Sequence, residues 1–372
     1  MKKLKLATIL GTRPEIIRLA ECIKKSDLYF DHILIHTGQN YDYELNEIFF
    51  NDLELRKPDY FLNVAGAHLG ETIGNVIAKS YEVLSKEQPD ALLVLGDTNS
   101  VLSTISAKRL KIPIFHMEAG NRCFDQNVPE EINRKISDHI SDINLTYTEN
   151  SRRYLLSEGF RKDHIFLTGS PLKEVLKKYL SKIDESNIVS SLNLSKGKYI
   201  VVSAHREENI DLNNNFEILT ESLNAVAEKY QMPVIFSTHP RTKNRIRQNN
   251  IKFHPLIKNI APLGFFDYVK LQSESFIVLS DSGTISEESA MIGFTAVSIR
   301  TSTERPEAID AGTILVGGIS TNQMLNSIHI AKGLDDKDIL LPFEYEITNT
   351  SDRVIKAIQS YTSIVNKVIW NK

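Results

Sequence analysis

The chain has 372 residues, too many for one comfortable hydrophobic core, so two domains are the first expectation. Hydrophobic residues make up 41% and charged residues 24%, a globular balance that excludes disordered and fibrous classes. A net charge of −3 argues against a nucleic-acid partner. Two cysteines, Cys22 and Cys123, without CxxC spacing argue against a disulfide framework or a thiolate zinc site.

Lys2, Lys3 and Lys5 precede the apolar stretch Leu6 to Leu10, which Gly-Thr-Arg-Pro-Glu cuts off well short of a signal-peptide core. That stretch reads as a first β-strand of a cytoplasmic protein. No segment approaches the roughly 20 apolar residues a membrane span needs, so no membrane insertion is expected. Short β-branched runs then recur between amphipathic stretches: Leu4–Leu10, His32–His36, Ala91–Leu95, Ile112–His116, Ile143–Tyr147 and His164–Leu167 in the first half. Tyr199–Ser203, Pro233–Ser237, Phe253–Ile257, Phe276–Leu279, Ala296–Ile299 and Thr313–Val316 follow in the second. Continuous apolar runs separated by helices predict buried parallel strands in βαβ units. The fold class is therefore α/β, two Rossmann-like domains facing across a cleft.

The polar, Ser/Lys-rich stretch Lys173–Lys198 marks the boundary, giving domains 1–172 and 173–350. Val354, Ile355, Ile358, Tyr361 and Val365 stand near helical spacing and predict a terminal helix within 351–372, able to pack on either lobe.

Polar residues follow each strand, where open α/β sheets bind ligands. Gly11-Thr12-Arg13-Pro14-Glu15 is a strand-to-helix turn with Pro14 suited to the first helical position, leaving Arg13 as a cation for a diphosphate. For a lone arginine the plain surface reading usually wins. Asp97, Glu118 and Glu130 supply three acids at the first lobe's edge, the kind of cluster that carbon-acid proton transfer needs. Glu130 and Glu131 also suit an ordinary solvated helix start. His205 follows the strand Tyr199–Ser203, placed to bind phosphate or pass a proton. Asp281-Ser282-Gly283-Thr284 opens a helix whose N-terminus would cradle a pyrophosphate, with Glu288 one turn in for a ribose; an ordinary capping box explains the same residues. No HExxH or His/Cys cluster predicts a metal, and no GxGxxG predicts NAD, so no cofactor is expected.

Taken in order, GTRPE, TGQNYD, GDTNS, HMEAGNR, PEEINR, SAHREEN, THPR, DSGTISEE and TSTERPEA resemble the non-hydrolysing UDP-N-acetylglucosamine 2-epimerase family from about Lys5 to Gly312. The resemblance implies the two-Rossmann, glycosyltransferase-B arrangement, a homodimer, and a UDP-N-acetylhexosamine substrate. It implies chemistry by anti elimination of UDP to a 2-acetamidoglycal, followed by re-addition, with no external cofactor. It places Asp97, Glu118 and Glu130 at the family's essential acids, any of which would handle the C2 proton, and His205 at its essential histidine. Arg13, Ser282, Gly283, Thr284 and Glu288 match its UDP-binding positions, and Arg134 matches an arginine near the acids. Arg18 stands where the family's usual lysine does. Glu207 replaces a cation that belongs to the allosteric site of some bacterial members, which argues against such activation.

The stretch NRCFDQNVPEEINRK is similar to the UDP-N-acetyl-L-fucosamine synthase subgroup, which epimerises C2 of UDP-2-acetamido-2,6-dideoxy-L-talose for capsule or O-antigen. Phe124 would offer an apolar wall to a 6-deoxy sugar. UDP-GlcNAc/UDP-ManNAc epimerisation is the alternative within the family. A glycosyltransferase is the same-fold rival, because fold does not fix function, but the acids after the first lobe's strands favour epimerisation. A non-catalytic nucleotide-sugar sensor ranks lower, because it would leave the polar strand-end residues unused.

Overall fold

The computed structural model describes residues 3–39, 43–210, 214–238, 240–248, 251–300, 303–334 and 340–372. His239, Thr301 and Ser302 of the quoted motifs lie outside these, as do Asn40, Tyr41 and Asp42, and the Glu207 side chain is also not described. The chain divides into two compact units, residues 1–178 with 346–372, and residues 179–345.

The first unit is built on a seven-stranded parallel sheet. Its strands are β1 (Lys5–Leu10), β2 (Asp31–His36), β3 (Tyr60–Phe61), β4 (Ala91–Leu95), β5 (Ile114–Met117), β6 (Ile143–Thr146) and β7 (Ile165–Leu167). Their order across the sheet is β3-β2-β1-β4-β5-β6-β7. The second unit has six parallel strands: β8 (Ile200–Ser203), β9 (Val234–Ser237), β10 (Ile257–Ile260), β11 (Ile277–Ser280), β12 (Ala296–Ser298) and β13 (Leu315–Val316). Their order is β10-β9-β8-β11-β12-β13. Each sheet thus runs outward in both directions from its first strand, which puts a topological switch point between β1 and β4 and another between β8 and β11. Ligands of open α/β sheets bind at the carboxyl ends of such strands.

The apolar runs are continuous because helices cover both faces of each sheet. Ile200 and Val202 face one core with Leu219, Leu223 and Met324, while Tyr199 and Val201 face another with Leu271, Ile285 and Ala308.

Two strand expectations need correction. The sheet contains β3, which two residues are too short to announce, so the first unit has seven strands, not six. β10 runs 257–260 rather than 253–257. It is an edge strand whose Lys258 and Asn259 are exposed, so its sequence lacks the apolar run of a central strand. The terminal helix spans Thr350–Val368 and packs on the first unit. Lys25 Nζ is 2.7 Å from Asp352 Oδ1, and the Ser351 N–H donates to Glu174 Oε2 at 2.8 Å.

Candidate active site

In the first unit the site grows from the turns after β1, β4 and β5. Gly11 follows β1 in a crowded place, where a Cβ would sit 2.1 Å from Thr37 Oγ1. Thr12 then caps the helix Arg13–Tyr29, with Pro14 in its first turn, one position later than the sequence pattern indicates. Glu15 completes a capping box: its Oε2 accepts the N–H of Gly11 at 2.9 Å, the N–H of Thr12 at 2.7 Å and the Thr12 hydroxyl at 2.8 Å. Its Oε1 accepts the hydroxyls of Ser100 and of Thr98, the latter at 3.3 Å. One buried carboxylate therefore laces the turn after β1 to the turn after β4, across the switch point. Burial pushes the Glu15 carboxyl up to about 7, against the pull of hydrogen bonds from Ser100, Thr12 and Gly11.

Asp97 and Glu118 follow the neighbouring strands β4 and β5. A Cβ on Gly96 would lie 3.5 Å from Glu118 Oε2, so the two acidic turns are adjacent. Each acid is held by an arginine. Arg18 Nη1 donates to Glu118 Oε2 at 2.6 Å, both side chains buried, and the Arg18 guanidinium stands 5.7 Å from the centre of the Tyr147 ring. Arg134 grips Asp97 Oδ2 through Nε at 3.0 Å and Nη2 at 2.6 Å. Glu118 has φ 64°, a left-handed backbone that a non-glycine residue adopts at some strain.

The helix Pro129–Ile140 delivers the third acid. Glu130 lies in its first turn, half-buried, and shares a helical face with Arg134 four residues on. Since Arg134 binds Asp97, that face is turned toward the β4 end. Asn133 Nδ2 reinforces the placement by donating to the Asp97 carbonyl at 3.0 Å. Glu131, its neighbour, is fully buried and structural: its Oε2 takes Arg134 Nη1 and the Cys123 N–H. Burial raises its carboxyl, but the Cys123 amide and Arg134 outweigh that and leave it lowered.

Beneath the acids lies a fully buried polar floor. His116 Nε2 pairs with the Gly96 carbonyl at 2.7 Å and its Nδ1 is 2.9 Å from Asp138 Oδ1. Asp138 Oδ2 also takes Arg122 Nη1 at 2.7 Å. Burial works against charge on both groups. Yet the imidazole is raised by Asp138 and the Gly96 carbonyl, and the carboxyl is lowered by His116 and Arg122. Arg13, by contrast, is exposed, with its guanidinium 5.6 Å from the Phe49 ring centre.

In the second unit the turns after β8 and β11 are joined by Asp281, which is fully buried. Its carboxylate accepts the N–H groups of His205 and Arg206, each at 3.0 Å to Oδ2, and Asn209 Nδ2 at 3.1 Å. Ser282, Gly283 and Thr284 form the loop that leads into the helix Ile285–Ile292. The Ser282 hydroxyl accepts the Thr284 N–H at 3.3 Å, so no capping box closes this helix. Gly283 is small for a reason the sequence did not reveal: a Cβ there would sit 2.2 Å from Glu304 Oε1. Glu288 is held from both sides, by the Thr284 hydroxyl at 2.5 Å on Oε1 and Gln272 Nε2 at 2.9 Å on Oε2.

Asp97, Glu118, Glu130, Arg18 and Arg134 thus gather in the first unit, and His205, Ser282, Gly283, Thr284 and Glu288 in the second. Sequence reasoning quoted Glu15 and Asp281 only as members of their motifs and did not single out Asp138, so the supporting role of all three was missed. Only Glu15 carried a legible signal, the Thr12-x-x-Glu15 spacing. Among the described residues no group of three or more His, Cys, Asp or Glu side chains could hold a metal ion, and no helix is long and apolar enough to cross a membrane.

The chain matches the family model described as UDP-N-acetylglucosamine 2-epimerase over residues 22–359. It is similar to the structure of a UDP-N-acetylglucosamine 2-epimerase from Rickettsia bellii, at 46% identity and a TM-score of 0.93, with 100% of both chains covered. Against the crystal structure of Methanocaldococcus jannaschii UDP-GlcNAc 2-epimerase in complex with UDP-GlcNAc and UDP, identity is 33% and the TM-score 0.90, covering 96% of this chain and 99% of that one. A UDP-2,3-diacetamido-2,3-dideoxy-D-glucuronate 2-epimerase from Pseudomonas aeruginosa is 32% identical over 342 residues, 90% of this chain and 94% of that protein.

Proposed function

The chain belongs to the UDP-N-acetylglucosamine 2-epimerase family, and from that premise we propose that this UDP-sugar 2-epimerase works by eliminating UDP and adding it back. A carboxylate removes the C2 proton of the sugar while the C1–O bond breaks. The bonding pair leaves with the diphosphate, and a C1=C2 double bond forms in a 2-acetamidoglycal. Return of UDP to C1 and of a proton to the opposite face of C2 gives the epimer. No electrons are gained or lost overall, so the cycle calls for no redox partner.

The observation that carries this reading is the pair of acids at the ends of β4 and β5, Asp97 and Glu118, each fixed by its own arginine. Two carboxylates on adjacent strands, with Glu130 on the helix tied to one of them, suit a reaction that takes a proton from one face and returns it to the other. C2–H is a weak acid, so departure of the diphosphate must lead, and cationic and N–H groups around it lower that barrier. Arg13 and the Ser282–Thr284 turn take that part, Glu288 takes the ribose, and His205 serves the diphosphate or a proton.

For the sugar we propose UDP-2-acetamido-2,6-dideoxy-L-talose, giving UDP-N-acetyl-L-fucosamine for capsule or O-antigen. The support is the NRCFDQNVPEEINRK stretch together with Phe124, 67% exposed at φ 58° with its ring edge-on to Tyr154. UDP-GlcNAc is the second reading, supported by the names of the relatives above. Incubation with each sugar nucleotide, followed by proton NMR, decides: turnover of the talose derivative alone supports the first reading, and turnover of UDP-GlcNAc alone the second. A cytoplasmic homodimer completes the proposal, with light scattering at twice the mass of one chain as its check.

A further inference from the structure

His205 is the one imidazole in the second unit's strand-end turns assigned to the reaction, and its ring is not left to solvent on both nitrogens. Its Nδ1 lies 3.3 Å from Asp281 Oδ1. Asp281 has no exposed surface, whereas the His205 side chain is 41% exposed. The carboxylate is locked from behind: Oδ2 takes the two backbone N–H groups and Asn209, the His205 N–H is shared with Oδ1 at 3.2 Å, and the Asp281 carbonyl takes Arg206 Nε at 2.9 Å. Asp281 also directly precedes Ser282, so its backbone carries the first residue of the proposed diphosphate turn.

A carboxylate oxygen can only accept, and a neutral imidazole has one N–H to give. We propose that Asp281 is a positioning residue for the epimerisation, accepting Nδ1–H of His205 through Oδ1 and so fixing the tautomer in which Nε2 presents its lone pair to the reacting ligand. The bland alternative is that Asp281 only ties the β8 turn to the β11 turn. Three of its donors, the two backbone amides and Asn209, serve that purpose equally well. The fourth partner, the imidazole, is the only one whose chemistry depends on which atom holds the proton. This inference rests on His205 taking part in the reaction, as proposed above.

Two measurements separate the roles. In full-length protein with 15N-labelled histidine, the His205 signal is identified as the one lost in His205→Gln, an exposed substitution that leaves the fold intact. At a pH where the ring is neutral, the proposal expects Nδ1 protonated and Nε2 bare in the wild type; a dominant Nε2–H tautomer overturns it. Asp281→Asn keeps an acceptor for the amides but turns an N–H toward the ring, reversing the tautomer, and should lower kcat by about 10²-fold with KM changed less than threefold. In the His205→Gln background the same change should cost less than threefold. An equal loss in both backgrounds shows that Asp281 acts through the diphosphate turn and overturns the proposal. If His205→Gln leaves kcat unchanged, the part given to His205 fails, and the tautomer in the wild type still decides the role of Asp281. If Asp281→Asn does not fold, that same wild-type spectrum decides.

Discussion

Arg18 and Glu118, a hundred residues apart in the chain, meet as a buried ion pair with Nη1 2.6 Å from Oε2. The helix after β1 and the turn after β5 are thereby joined around one charge. Removing one member of a buried pair leaves the other uncompensated, at a cost of about 3–5 kcal/mol. Arg18→Met should therefore reduce turnover at least a hundredfold, while Arg18→Lys, which restores the charge but not the planar fork, should recover part of it. Equal losses in the two variants would mean that charge at Glu118 is not what the arginine supplies.

Amide substitutions test the acids themselves. Asp97→Asn, Glu118→Gln and Glu130→Gln should each abolish turnover while UDP affinity stays within about threefold, because the acids are proposed to serve the proton transfers and not the nucleotide. Unchanged turnover in all three refutes the assignment. Calorimetric titration with UDP supplies the affinity arm.

Glu288→Ala should show the opposite pattern. The carboxylate between Thr284 and Gln272 is proposed to hold the ribose, so its loss should weaken UDP binding about tenfold, or roughly 1.4 kcal/mol, with kcat little changed. An effect confined to kcat would remove the ribose role.

How far these sites could be read beforehand depends on where their partners sit. Central strands such as Ala91–Leu95 are buried along their whole length and declare themselves as apolar runs. Edge strands do not: β10 carries Lys258 and Asn259 in the open, and β3 is a two-residue pairing that only its neighbour β2 defines. Asp97 and Glu118 were visible because they follow strands. Arg18 and Arg134 were named by resemblance, but their pairing was not legible, since they reach Glu118 and Asp97 from separate helices and long-range ion pairs leave no periodic trace. Buried carboxylates such as Glu131, Asp138 and Asp281 look like surface residues in a sequence, and only the packing around them reveals their work.

Asp138 offers a stability test free of the chemistry. It sits fully buried between His116 and Arg122. Asp138→Asn leaves Arg122 without its carboxylate and His116 poorly matched, and a loss of about 3–5 kcal/mol would lower the melting temperature of the first unit by about 10 °C. A shift below 2 °C in calorimetry would show that the floor is not a stabilising network.

Glu15 predicts a pH dependence. Its carboxyl, ordinarily near 4.5, is pushed up to about 7 in the folded chain by burial, against hydrogen bonds from Ser100, Thr12 and Gly11. Between those values the folded state keeps a proton that the unfolded state releases. Its stabilising contribution is therefore complete below pH 4.5 and is lost as pH rises through 7, amounting to about 3 kcal/mol. Glu15→Gln removes this titration, so the stability difference between wild type and variant in denaturant melts should fall from pH 4.5 to pH 8. A difference independent of pH contradicts it.

The most direct test of the elimination route is turnover in heavy water. If the C2 proton is removed to a carboxylate and replaced from the opposite face, the epimer formed must carry deuterium at C2, seen as a gain of one mass unit and the loss of the C2 proton signal. An epimer that retains its original C2 proton would contradict the account.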